Sequence, residues 1–334
     1  MKTILMAVAF LELAAFQLVG QEVVVMVGPG GQRMISQDGL QWKNHVSWGE
    51  PKHDQNDLNV ATFFKGSVYV GGGYSIARMT ASSDGKNWSE GVLPKGSPIF
   101  GLEVLNDTLY AVTLRGQIYK TADGSNYTMV GAAEMPTPTH WIRASAKGNG
   151  IILASGDFGP ALAFNPKTEK ITVTQMAGQT IKNAGFKRVA FGNGVFVVCG
   201  QDGLLASTKD GLQWSNNQTY PDRGDIYSVV WAGDQFVASA ARGTLVSKDG
   251  LKWETNPAKV PRMMVQVGEW LYGWSWPPFK FQRSKNGLTW ESIANEKEFH
   301  AKHFAVGTLS GDKTPPKLPE GKVPWAGMKD TPKK

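Results

Sequence analysis

The chain has 334 residues, 39 of them glycine, with 41% apolar and 19% charged residues and a formal charge of +7. That balance excludes a disordered chain of low hydrophobicity, and glycine without a three-residue period excludes collagen. One cysteine, Cys199, excludes a disulfide framework and any site built from several thiolates, so packing must hold the fold.

Residues 1–20 place Lys2 ahead of an apolar run that finishes near small residues, the pattern of a secretory leader cleaved near Gly20. The mature chain is expected to begin at about Gln21, to be secreted or periplasmic, and to carry no transmembrane helix, because Glu12 would be costly in mid-bilayer. From Val23 onward a short pattern returns. Ser36-Gln37-Asp38-Gly39 with Trp42 recurs as Ser82-Ser83-Asp84-Gly85 with Trp88 and as Thr121-Ala122-Asp123-Gly124 with Tyr127. It recurs again as Thr208-Lys209-Asp210-Gly211 with Trp214, Ser247-Lys248-Asp249-Gly250 with Trp253, and Ser284-Lys285-Asn286-Gly287 with Trp290. The interval is about 40 residues, except for a double interval between Gly124 and Gly211. Within that gap Asn165 to Lys170 supplies a different turn between apolar runs, which makes seven units.

A second repeat agrees with the first. Lys65-Gly66, Asn106-Asp107, Asn149-Gly150, Asn193-Gly194, Gly233-Asp234 and Gly268-Glu269 each lie between apolar runs ahead of a box, as hairpin turns do. The first unit lacks this hairpin, whereas a run at about 301–306 ends in Gly307 with no box behind it. The sequence therefore predicts an all-β, seven-bladed propeller over 22–310, closed by a C-terminal strand that becomes the innermost strand of the first blade. The last segment, 311–334, has five prolines and six lysines and is expected to be a flexible tail.

The spelling of the box is turn chemistry. Asp38, Asp84, Asp123, Asp210, Asp249 and Asn286 have carbonyl or carboxylate oxygens that accept backbone N–H bonds, and the glycine takes a positive φ. Trp42, Trp88, Tyr127, Trp214, Trp253 and Trp290 are expected to cover the seams between blades. The pattern resembles the Asp-box, or bacterial neuraminidase repeat, of usual form Ser-x-Asp-x-Gly-x-Thr-Trp, although this chain lacks the residue between Asp and Gly. That resemblance implies a propeller whose boxes lie at the turns between third and fourth strands, on the side away from the active site. It implies no single activity, since the repeat occurs in sialidases, other glycoside hydrolases, sorting receptors and photosystem assembly factors.

On the opposite face the second-to-third strand loops and the connections between blades hold the candidates for ligand binding. These are Arg33, Arg78, Arg115, Lys187, Arg242, Arg262 and Lys280, with Trp141, Tyr227, Trp276 and His300. Guanidinium groups and aromatic faces suit an anionic or sugar-like ligand. No pair of carboxylates stands out as an acid and base, the Arg-Ile-Pro segment of the sialidases is absent, and His300 and His303 have no further ligand at metal spacing. No cofactor or metal is expected. A dense basic face with interleaved aromatics is also missing, which argues against nucleic acid. The reading that results is an exported, non-catalytic binding or scaffold propeller for a protein partner or acidic glycan, whose tail adds contact with an anionic surface. The alternatives are a glycoside hydrolase or polysaccharide lyase with its site in the central funnel, and an assembly factor for a membrane complex.

Overall fold

The computed structural model describes residues 20, 22–48, 57–136, 140–157, 160–175, 186–275, 280–293 and 299–322. Residues 1–19 of the expected leader at 1–20, Trp276 and the last twelve residues lie outside them, as does the side chain of Lys187. Seven four-stranded antiparallel sheets form the blades of a propeller. Blades 2 to 7 take consecutive strands within 58–93, 99–132, 142–175, 186–219, 226–256 and 263–293. Blade 1 joins the two chain ends. Its innermost strand, His303–Thr308, pairs with Glu22–Val27 from Val27↔His303 to Glu22↔Thr308, followed outward by Arg33–Ser36 and Lys43–Val46. The run Val23-Val24-Val25-Met26-Val27 suits this position, because β-branched residues pack well on a pleated surface buried on both sides. Among the described residues no helix is long and apolar enough to cross a membrane.

Each box closes the turn between the third and fourth strands by one bond pattern. In blade 1 Ser36 Oγ donates to Asp38 Oδ1 at 3.0 Å, and the N–H groups of Leu40 and Gln41 donate to the same oxygen at 2.8 Å. Asp84, Asp123, Asp210, Asp249 and Asn286 repeat the two N–H bonds. The glycine that follows has φ between 69° and 82° in all six, a region that side chains resist. In blade 4 the same place is taken by Asn165, whose side chain accepts from Lys167 N–H at 3.0 Å.

Each box aromatic packs into the seam with the preceding blade. Trp42 lies with Trp274 and Phe304, Trp88 with Val25 and Val70, and Tyr127 with Tyr69 and Leu109. Trp214 joins Leu153 and Phe196, Trp253 joins Phe236 and Cys199, and Trp290 joins Met264 and Leu271. Chain beyond the closing strand touches the blades as far as Gly321. Leu309 is fully buried, Ser310 N–H donates to Gly66 O at 2.7 Å, Gly311 N–H donates to Ser83 O at 2.8 Å, and Leu318 is buried between blades 2 and 3. The first part of the expected tail thus makes contacts with blades 2 and 3 at Gly311, Leu318, Pro319 and Gly321.

Candidate functional site

The seven innermost strands enclose a central channel of about 960 Å³. Five of these strands share an irregularity at the loop-face end. The pairing register slips by one residue between Leu58 and Val60, Ile99 and Gly101, Ile142 and Ala144, Phe186 and Arg188, and Ile226 and Ser228. Such a bulge re-aims the extra residue. The residues set out of register are Asn59, Phe100, Arg143, Lys187 and Tyr227, and Arg262 and Lys302 occupy the matching places in blades 7 and 1. One structural position therefore supplies a ring of seven residues at the channel mouth, four of them basic and two aromatic.

Neighbours in this ring touch. The Arg143 guanidinium lies 5.6 Å from the Phe100 ring centre and 5.0 Å from that of Trp141, and the Arg262 guanidinium lies 3.8 Å from the Tyr227 ring centre. Lys302 pairs with Asp57 and also reaches Asn59 Oδ1 at 3.4 Å, while Asn59 donates to Ile99 O at 3.2 Å. Arg143 is paired with Asp157 at 3.1 Å. Arg262 has no carboxylate partner among the described residues, and its charge stands exposed over an aromatic face.

Deeper in the channel stand the half-buried Glu103, Arg188 and His303. Burial pushes the Glu103 carboxyl up toward its neutral form, against the pull of a 2.7 Å bond from Ser145 Oγ and the charge of Lys147. Burial likewise lowers the Arg188 guanidinium. His303 Nδ1 accepts from Ala61 N–H at 3.3 Å, and burial, with the Arg188 charge second, brings the imidazole down to about 3. At the end beside the box turns, Phe63, Phe191 and Trp231 line the channel, each ring lying against a glycine of a neighbouring blade: Gly307, Gly148 and Gly192. A Cβ at any of the three would overlap the ring.

The candidates drawn from the sequence fall into three groups. Tyr227 and Arg262 are in the mouth, and Lys187 occupies a mouth position in the backbone. Trp141 borders it at 37% exposure. Arg115 and Arg242 are exposed on loops of blades 3 and 6, Arg242 donating to Asp222 O at 3.1 Å, and His300 is half-buried beside Gly28. Lys280 is exposed at the start of the third strand of blade 7. Trp276 lies outside the described residues.

Arg33 and Arg78 do not reach the channel. They are 3% and 1% exposed in the seam between blades 1 and 2. There the Arg33 guanidinium lies 4.7 Å from the Trp88 ring centre and 5.9 Å from that of Trp48, and Arg78 lies 3.4 Å from the latter while pairing with Glu90 at 2.8 Å. Burial brings Arg33 down to about 10, with Glu90 acting in the opposite sense. Arg33 is the first and Arg78 the second residue of a third strand rather than standing on a loop, so their side chains enter the sheet seam. Sequence reasoning missed Asn59, Phe100, Arg143, Lys302 and the interior Glu103, Arg188 and His303. The retrievable signal was the residue after the first apolar residue of each unit, a place with no fixed spelling.

No protein-family model matches the sequence, and no curated protein is similar to it at a significant level. Solved structures match by fold. One, described as YCF48 bound to D1 peptide, superposes with a TM-score of 0.56 at 17% identity, covering 82% of this chain and 89% of that one. YCF48 from Cyanidioschyzon merolae gives 0.56 at 19% identity over 74% and 87%. A chain of a nidogen/laminin complex gives 0.50 at 9% identity over 86% and 99%. At these identities the likeness establishes the seven-bladed propeller.

Proposed function

We propose that this chain is an exported, non-catalytic binding propeller, a divergent member of the Asp-box group, whose channel mouth on the loop face holds an acidic segment of a partner protein. The observation that carries this reading is the ring of seven matching positions, in which Arg143 and Arg262 are held over Phe100, Trp141 and Tyr227. A guanidinium resting on a ring can offer its N–H edge to a carboxylate, as that of Arg262 does, whereas Arg143 already donates from Nε and Nη2 to Asp157 and would take a ligand's carboxylate in exchange for that partner. The expected leader supports export, and a similar propeller carrying a bound peptide supports a protein ligand for this fold. Protein binding is the coarser and better supported statement. An acidic glycan presents the same carboxylate and is kept as the second outcome of the test.

The test is calorimetric titration of the mature chain with a Glu/Asp-rich peptide and, separately, with a galacturonate oligosaccharide. Arg143→Ala and Arg262→Ala are each expected to weaken peptide binding about tenfold, about 1.4 kcal/mol, at unchanged thermal stability. Equal affinity in wild type and both variants would remove the mouth from the binding surface, and binding of the oligosaccharide alone would replace the protein partner by a glycan.

A further inference from the structure

The seam between blades 1 and 2 gathers buried hydrogen-bond donors around one arginine. Arg33 is 3% exposed, and its Nη1 donates to Gly31 O at 2.6 Å. Its Nε is buried and meets no acceptor among the described residues. The nearby carboxylate, Glu90, pairs with Arg78 at 2.8 Å, and among the described residues none stands at ion-pair distance from Arg33. At a value of about 10 the guanidinium is charged at neutral pH, and a charge so enclosed is costly unless it is matched.

Two indoles complete the set. The Trp88 and Trp48 ring centres lie 4.7 Å and 5.9 Å from the Arg33 guanidinium, and the Nε1–H group of each is buried without an acceptor among the described residues. Other box tryptophans spend this group locally. Trp253 and Trp290 donate to the carbonyl of their own box glycine, at 3.3 Å and 2.8 Å, and Trp214 donates to Thr174 Oγ1 at 3.2 Å. In blade 2 the equivalent N–H is kept in the seam beside Arg33. Trp48 is held there by its backbone N–H, which donates to Gly30 O at 3.1 Å, and by Gly31, where a Cβ would come within 2.3 Å of the indole.

The three groups are all donors. A water molecule among them would still need acceptors for its own hydrogens, whereas an anion accepts from all three and neutralises Arg33. We propose that the seam between blades 1 and 2 is a binding site for a monovalent halide-type anion, chloride in the first instance, held by Arg33 Nε, Trp48 Nε1 and Trp88 Nε1. Arg78, stacked 3.4 Å from the Trp48 ring centre, adds positive potential, and the half-exposed Glu90 opposes it. Entry into so enclosed a place strips the ion of water, so weakly hydrated bromide and chloride are favoured over fluoride. Occupancy fastens the connection from blade 1 to blade 2, which is also tied by Leu58 N–H donating to Gly28 O at 3.1 Å.

The experiment follows thermal unfolding of the protein in sodium fluoride, chloride and bromide at equal concentration. Exclusion of salt from the protein surface favours the strongly hydrated fluoride, whereas site binding gives the reverse order and a midpoint that rises in proportion to occupancy of the site. Trp88→Phe keeps a ring and removes one donor. It is expected to raise the chloride concentration needed for a given shift at least about threefold. Glu90→Gln removes the opposing carboxylate and is expected to lower that concentration by about the same factor. Arg33→Met should abolish the preference for chloride over fluoride, and the two milder variants decide the matter if it does not fold. If chloride and bromide give no higher midpoint than fluoride, or if Trp88→Phe and Glu90→Gln leave the chloride dependence unchanged, the seam is not an anion site.

Discussion

His303 sits on the closing strand with Nδ1 accepting from Ala61 N–H, and burial, with the Arg188 charge second, holds its imidazole neutral down to about pH 3. In the unfolded chain a histidine takes up its proton near 6.5. Between those values the unfolded state binds a proton that the folded state does not, and stability is lost as the pH falls, at about 1.4 kcal/mol per pH unit. Above about 6.5 the contribution is fully present. The change His303→Gln, which retains an acceptor for Ala61, is expected to flatten this part of a stability profile measured by urea unfolding from pH 7 to 4. Glu103 acts in the opposite sense. Burial raises its folded value, so the penalty is absent below the unfolded carboxylate range and grows as the pH rises through it. Glu103→Gln keeps the acceptor for Ser145 Oγ and is expected to raise stability at pH 7 while changing little at pH 4. An unchanged or lower midpoint at pH 7 would count against this account. Neither residue was legible in the sequence, because alternation along a strand does not tell which neighbours enclose a polar side chain.

A box turn is an element whose cost and identity are local. Asp249 Oδ1 accepts from Leu251 N–H at 2.8 Å and from Lys252 N–H at 2.9 Å, and Asn286 makes the same two bonds in blade 7 without a charge. Asp249→Asn is therefore expected to cost less than about 1 kcal/mol, whereas Asp249→Ala strands two donors and should cost about 1–3 kcal/mol, as read by chemical unfolding. The bonds from Asn126, Ser125 and Thr121 also hold the Asp123 carboxyl well below the usual range, so it adds stability above about pH 4 that is lost in acid. Because these turns depend on nearest neighbours in the chain, their spelling marked every blade but the fourth, where Asn165 starts a different turn. The mouth depends on something else. A bulge is a slip between two strands, and Asn59, Phe100, Arg143, Tyr227, Arg262 and Lys302 share a place in the ring without sharing a residue type. Tyr227 and Arg262 were reached because they stood near a predicted connection; Arg33 and Arg78 stood near one too, yet their strands turn them into a seam. Local chemistry writes turns into sequence, while pairing irregularities and side-chain direction are settled by the assembled sheets.

At the scale of the whole ring, stability is conditional on closure. Blade 1 takes its innermost strand from the opposite end of the chain, and Phe304 on that strand packs against Trp42, Tyr272, Trp274 and Phe281, so one strand fills the seam of two blades. A chain ending at Phe299 would leave Glu22–Val27 as an open edge and expose the core residues of blades 1 and 7. Unpaired strand edges of this kind recruit other chains. Such a truncation is expected to lose the single cooperative transition of the intact ring and to associate, as seen by scattering, since each blade alone lacks neighbours on both sides. A chain ending at Lys322 keeps His303–Thr308, Leu309 and Leu318 in place and should unfold as the full chain does. The two truncations separate the closing strand, taken together with residues 309–322, from the last twelve residues. Adding a peptide of residues 299–322 to the shortened chain should restore one cooperative transition, because the missing strand pairs in a register already fixed at six positions from Glu22↔Thr308 to Val27↔His303. If the shortened chain melts cooperatively at the original temperature without the peptide, the ring does not depend on closing with its last strand, and blade 1 must be held by blades 2 and 7 alone.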